Sequence, residues 1–185
     1  MLRRASRALW RIFRLFAVAY LSLLLLMTFL ERWLVYPVPP ADRGTWMPAE
    51  LEYEDAWFAA ADGTRLHGWY VPHPAPRFGL VYCHGNGVHV ADNEVFVADL
   101  RDRLQASVMI FDYRGYGRSD GVPHEAGIVA DGLAAQQWMA QRMQVPPDDL
   151  VLMGRSIGTG VAVAMAAEHG ARAHVLQNAF SSLTD

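Results

Sequence analysis

The sequence predicts an α/β fold preceded by one membrane-spanning helix, and three observations carry that prediction. Strand-like apolar runs at 79–83, 107–112 and 151–153 each break into a glycine-bearing turn, and helix-like periodicity follows each turn. An uncharged stretch fills residues 15–30 near the N-terminus. The third run breaks at Gly154-Arg155-Ser156-Ile157-Gly158, the Gly-x-Ser-x-Gly pattern of a serine lifted on a sharp strand-to-helix turn.

Length and composition bound the reading. A chain of 185 residues suits one domain and an appendage, and 52% hydrophobic content is high enough to include a membrane segment. A net charge of -3 argues against nucleic acid as a partner. The single cysteine, Cys83, excludes an intramolecular disulfide and a zinc ribbon, and its place in an apolar run reads as a small core side chain. No metal-ligand spacing surrounds the histidines, and no cofactor is called for.

Residues 1–14 form a basic N-terminus carrying Arg3, Arg4, Arg7, Arg11 and Arg14, and residues 15–36 are read as the spanning helix. The 16 uncharged residues at 15–30 rise about 24 Å, and flanking aromatic and apolar residues make up the rest of a hydrocarbon core of about 30 Å. Bulky and charged residues at 28–33 argue against signal-peptide cleavage, and the run at 21–26 leaves no polar face for an interfacial helix. Arginines before the span and few positive charges after it orient the N-terminus to the cytoplasm. The remainder is then expected across the membrane, in the periplasm of a bacterial cell. Residues 37–50, rich in proline, glycine and polar side chains, read as a linker without helix or sheet.

The globular part, 51–185, opens with strand-like runs at 56–60 and 65–71 joined by Ala61-Asp62-Gly63-Thr64, a hairpin signal. His67 and His73 read as structural or surface histidines. The run at 79–83 leads into His84-Gly85-Asn86-Gly87, where glycines allow backbone N–H groups to face a ligand, and a helix pattern covers 91–104. No phosphate-loop or dinucleotide fingerprint is present at this turn. The run at 107–112 ends in Tyr113-Arg114-Gly115-Tyr116-Gly117-Arg118-Ser119-Asp120-Gly121, whose arginines read as a solvated rim or a phosphate contact. Helix periodicity then runs from 124 to 143. After Ser156 come a small-residue helix pattern at 161–169 and a strand-like run at 174–178.

These motifs, in this order on successive strand ends, resemble the α/β-hydrolase superfamily, in particular its membrane-anchored abhydrolase-domain and bacterial serine-aminopeptidase-like members. The resemblance implies a mostly parallel sheet with helices on both faces. It implies Ser156 as nucleophile, the backbone N–H groups of Ile157 and Asn86 as the oxyanion hole, and His84 as a structural loop-former. The expected substrate is a small-molecule or peptide acyl compound, and the bilayer is a partner through residues 15–36.

Such folds order the triad as serine, acid, histidine, and the last two should follow later strands. The sequence after Ser156 offers no convincing base. His169 lies at the far end of the helix that Ser156 would open, roughly 18–20 Å away. His174 begins a strand at the opposite edge from the active site, and Asp185 is at best a frayed acid. The fold is therefore expected to be incomplete at the C-terminus, with the sixth strand an exposed edge. Two readings remain open: the N-terminal portion of a membrane-anchored serine hydrolase, or a non-catalytic remnant or binding protein with the same fold.

Overall fold

The structure is a computed structural model that describes residues 2–179. It falls into two units, residues 1–37 and 38–185. The first is a single helix, α1 (Leu2–Val35), whose stretch Trp10–Leu30 is 21 residues long with a mean hydropathy of 2.1. At about 1.5 Å per residue that stretch rises about 31 Å, long enough to cross a hydrocarbon core.

The second unit is built on a six-stranded sheet in the order β1-β2-β4-β3-β5-β6. Strands β1 (Glu54–Ala59) and β2 (Arg65–Val71) form the expected hairpin, closed by hydrogen bonds between Ala60 and Thr64 and from Gly63 to Ala60. β2 pairs antiparallel with β4 (Ala106–Phe111). From there the sheet is parallel through β3 (Phe78–Cys83), β5 (Val151–Arg155) and β6 (Ala173–Gln177). Helices α2 (Glu94–Leu104), α3 (Glu125–Met143) and α4 (Ile157–His169) connect the parallel strands.

The period of two along each strand sorts side chains between faces. Trp69, Tyr82, Val108, Ile110 and Met153 form a core with Val97 of α2, and Phe96 packs 5.0 Å from the Tyr82 ring. On the other face, the Tyr70 ring lies 5.9 Å from Trp138 of α3, and Cys83 Sγ lies 3.6 Å from Met165 Sδ of α4. Helices thus cover both faces, and the parallel strands are near-continuous apolar runs for that reason. Burial pushes the Cys83 thiol well above its ordinary range, which suits an inert core residue.

Two expectations change. Helix α4 begins at Ile157, immediately after Ser156, rather than at 161; the glycines and threonine of its first turn mask the periodicity. Residues 38–50 carry neither helix nor strand but are not a free tether. The indole of Trp46 stacks on His89 at 4.9 Å, and Thr45 N–H donates to the Ala91 carbonyl at 3.0 Å. The edge strand β6 is exposed along its length, with Val175 and Leu176 on the surface.

Candidate active site

One residue, Ser156, makes the turn between β5 and α4, with φ 52° and ψ -122°. That conformation lies outside the wells open to a side-chain-bearing residue and costs on the order of 1–3 kcal/mol, so its surroundings must enforce it. Ser156 N–H donates to Gln177 O at 2.9 Å, and Ser156 O accepts from Thr159 N–H at 2.9 Å and Thr159 Oγ1 at 2.6 Å. The flanking glycines explain themselves. A Cβ on Gly158 would strike the Cys83 carbonyl oxygen, and one on Gly154 would meet Gly158 O and Thr159 Cα. The Ser156 hydroxyl itself makes no hydrogen bond to any described residue, and it lines a pocket of about 330 Å³ with Gly85, Asn86, Asp92 and Arg155.

The turn after β3 forms the facing wall. Gly85 packs against the serine so closely that a Cβ there would sit 3.6 Å from Ser156 Cβ. His84, fully buried, places Nδ1 2.8 Å from the Gly85 carbonyl oxygen. The Gly85 carbonyl and the Asn86 N–H belong to one planar trans peptide, so fixing the first aims the second away from the imidazole. Burial pushes the His84 pKa down, against the pull of Asp112 and Gly85 O. Among the described residues His84 Nε2 has no hydrogen-bond partner, so the neutral ring with its proton on Nδ1 fits this setting. Asn86 is held in turn by Tyr116, whose hydroxyl lies 2.6 Å from Asn86 Oδ1. Ile157 opens α4, where an N–H has no intrahelical acceptor. Ser156, Asn86 and Ile157 therefore meet at one edge of the sheet.

The loop after β4 supports this edge rather than lining it. Asp112, fully buried, accepts from Val90 N–H at 2.9 Å and Arg118 N–H at 3.2 Å, and faces His67 Nδ1 at 3.3 Å. His67 is neither exposed nor idle: it is fully buried, with Nε2 2.7 Å from Asp55. Gly117, at φ 49°, leaves room for the Asp112 carboxylate, which any Cβ would overlap. Arg114 is not a solvated rim. It is 4% exposed and binds Asp131 through Nε at 3.0 Å and Nη2 at 2.8 Å, with Asp62 at 2.7 Å from Nη1. Burial pushes the Asp131 carboxyl up while these bonds pull it down, and burial dominates. Hydrogen bonds from Thr64 and then Arg114 hold Asp62 below the usual carboxylate range.

Among the described residues no histidine lines the serine pocket. His169 ends α4, near Gln137, and His174 is exposed at the start of β6. Asp185 lies outside the described residues, as does the rest of 180–185. Among the described residues no three His, Cys, Asp or Glu side chains group to hold a metal. Sequence reasoning missed Tyr116, for which an aromatic between two glycines was a usable signal.

Comparison with known proteins agrees with this geometry. The sequence profile of the alpha/beta hydrolase fold family matches residues 80–184, more than half of the chain. The chain is 37% identical over 165 residues to the uncharacterized protein Rv2307c of Mycobacterium tuberculosis, covering 84% of this chain and 56% of that protein. It is 31% identical over 169 residues to the alpha/beta hydrolase domain-containing protein WAV2 of Arabidopsis thaliana, covering 87% and 55%. The Pyrococcus furiosus esterase Pf2001 shares the fold with a TM-score of 0.59 at 23% identity, over 71% of this chain and 51% of the esterase. The chain thus spans about half the length of the curated relatives it matches. The profile match over residues 80–184, the relatives above 30% identity and a mostly parallel sheet in the order β1-β2-β4-β3-β5-β6 establish that the chain belongs to the alpha/beta hydrolase family.

Proposed function

We propose that this chain carries the nucleophile and oxyanion hole of a membrane-anchored serine hydrolase, acting on carboxylic ester, thioester, amide or peptide bonds through an acyl-enzyme. The single observation that carries the reading is Ser156: a non-glycine residue at φ 52° whose hydroxyl makes no hydrogen bond among the described residues and borders a pocket. Strain of that kind persists where it positions a reacting atom.

In this mechanism Ser156 Oγ attacks the substrate carbonyl carbon and the carbonyl π electrons move to oxygen. The resulting oxyanion is received by the N–H of Ile157, at the positive end of α4, and by the N–H of Asn86. Each donor is set before substrate arrives: Ile157 by the helix, Asn86 by the His84 hold on its peptide. The serine proton passes to a general base and from it to the leaving group, which departs as the tetrahedral centre collapses to the acyl-serine. His84 does not serve as that base, because its ring is fully buried, packed against Tyr113 at 4.5 Å, and does not line the serine pocket. Water then releases the acyl group by the same path.

Anchoring rests on Trp10–Leu30, and the arginines before it orient the N-terminus to the cytoplasm and the hydrolase unit to the far side. The test is active-site labelling. A fluorophosphonate applied to the full natural chain in detergent should attach to the tryptic peptide bearing Ser156; attachment elsewhere, or undiminished attachment in Ser156→Ala, removes the reading.

A further inference from the structure

Three consecutive residues of the oxyanion turn are held by three different side chains. His84 holds the Gly85 carbonyl, Tyr116 holds the Asn86 side chain, and Arg43 Nη2 donates to the Gly87 carbonyl at 2.6 Å. The first two come from the sheet edge itself. Arg43 comes from the segment that follows the N-terminal helix in sequence, eight residues beyond Val35.

Its attachment is built rather than incidental. Arg43 Nε donates to Asp92 Oδ1 at 2.9 Å while Nη2 reaches Oδ2, a two-pronged pair, and Asp92 also accepts from His89 N–H at 2.9 Å. Burial works against ionisation of Asp92, but the bonds from Arg43 and His89 outweigh it and hold the carboxyl below its usual range. Gly44, at φ 79°, lies against Ala91 with no room for a side chain, since a Cβ there would sit 2.6 Å from Ala91 O. Thr45 N–H bonds the same carbonyl, Trp46 stacks on His89, and His89 Nε2 lies 3.3 Å from Pro40 O. Residues 40–46 therefore grip residues 87–92, the stretch directly after Asn86, and Val88 and Asp92 of that stretch border the serine pocket together with the adjoining Asn86 and Asn93.

We infer that Arg43 is a positioning residue for the oxyanion hole, and that the strap 40–46 is a working part of the active site. The inference rests on the hydrolase reading above. Gly87 sits at φ 69°, and a glycine left untethered turns its peptide at little cost. Arg43 removes that freedom by holding the Gly87 carbonyl. The Arg43 side chain is 43% exposed, so its ion pair adds little to global stability. Its effect is confined to the loop it holds.

The test compares Arg43→Gln with the unmodified full natural chain in detergent micelles. Three quantities are read: the second-order rate of Ser156 phosphonylation by a fluorophosphonate, kcat and KM for a 4-nitrophenyl ester, and deuterium exchange over residues 85–92. Misplacing one oxyanion donor predicts a fall of about ten- to a hundredfold in labelling rate and kcat, with KM within about twofold. Exchange over 85–92 should rise while the melting temperature holds. Arg43→Lys, which keeps the charge but not the fork, should recover part of the loss. Gly44→Ala should repeat the loss by lifting the strap, and Arg103→Gln, an exposed pair with Asp99 on α2, should change nothing. Labelling in Arg43→Gln within about twofold of the parent, with Ser156→Ala silent, overturns the inference and leaves the hydrolase reading standing. Labelling that persists in Ser156→Ala removes the hydrolase reading and the inference with it. Unchanged exchange over 85–92 in Arg43→Gln overturns the strap in either case.

Discussion

The loop after β4 and the turn after β5 lie at the same edge of the sheet, since both strands run parallel to β3, yet they treat polar groups in opposite ways. In the first, Asp112 and Arg114 are buried and every charged atom finds a partner: Asp112 meets two backbone N–H groups and His67, and Arg114 meets Asp131 and Asp62. In the second, Ser156 is strained, its hydroxyl makes no hydrogen bond among the described residues, and it borders open space. Burial with full pairing marks groups that hold the fold, because an unpaired buried charge costs several kcal/mol. Strain with an unspent hydrogen-bonding group marks a place where something else binds. Two motifs of similar glycine content thus divide into scaffold and site.

Four substitutions sharpen or break that division. The largest effect is expected at the site: Ser156→Ala in the full natural chain should lower ester hydrolysis by about 10⁴-fold or more while leaving the fold intact. Steady-state rates and circular dichroism on the same sample decide it, and a variant that keeps a tenth of the activity ends the assignment of Ser156.

Next comes the scaffold. Asp131→Ala strands the Arg114 guanidinium in a buried position and should cost about 3–5 kcal/mol in urea-denaturation free energy. A loss under about 1 kcal/mol would mean that the pair is solvated and that the contrast drawn here is false.

Smaller, and opposite in sign, is Ser156→Gly. Glycine accepts φ 52° freely, so this variant should gain about 1 kcal/mol in stability as it loses activity. Destabilisation instead would show that the turn carries no strain to release.

The last effect is a pH dependence with its sign set by His84. Burial lowers its pKa in the folded chain, so stability is complete above the free-imidazole range. As pH falls from about 6.5 toward the depressed folded value, the unfolded chain takes up a proton that the native chain refuses, and stability declines. The charged and titratable neighbours at this site are Asp112, His89 and Asp92. Denaturation midpoints near neutral and mildly acidic pH should converge more closely in His84→Gln than in the parent; equal slopes in both would sink the idea.

Much of this was legible in the chain, and particular residues show why. The strands at 79–83, 107–112 and 151–153 read correctly because a strand covered on both faces must be apolar throughout. The hairpin at Asp62-Gly63 read correctly because its turn chemistry is local. The sharp strand-to-helix turn at Ser156 was legible because a strained serine requires glycines two places either side, and those spacings are fixed by steric contact with Cys83 and Thr159. Arg114 did not, because whether an arginine is rim or core depends on Asp131, which lies on α3 and adds no pattern to the loop. His67 was left undecided between core and surface for the same reason: its partners Asp55 and Asp112 come from β1 and from the loop after β4.

What the sequence determined by itself was therefore whatever depends on neighbours in the chain: the apolar span at the N-terminus, the alternation of strands and helices, and the serine on its turn. Only the tertiary structure decided which charges are buried and paired, and that the segment at 40–46 grips the turn after β3 rather than trailing as a tether. The physical reason is distance along the chain. The Arg43 pair with Asp92 joins residues far apart in sequence, and such a contact leaves no periodicity or spacing to read until the sheet brings its two ends together.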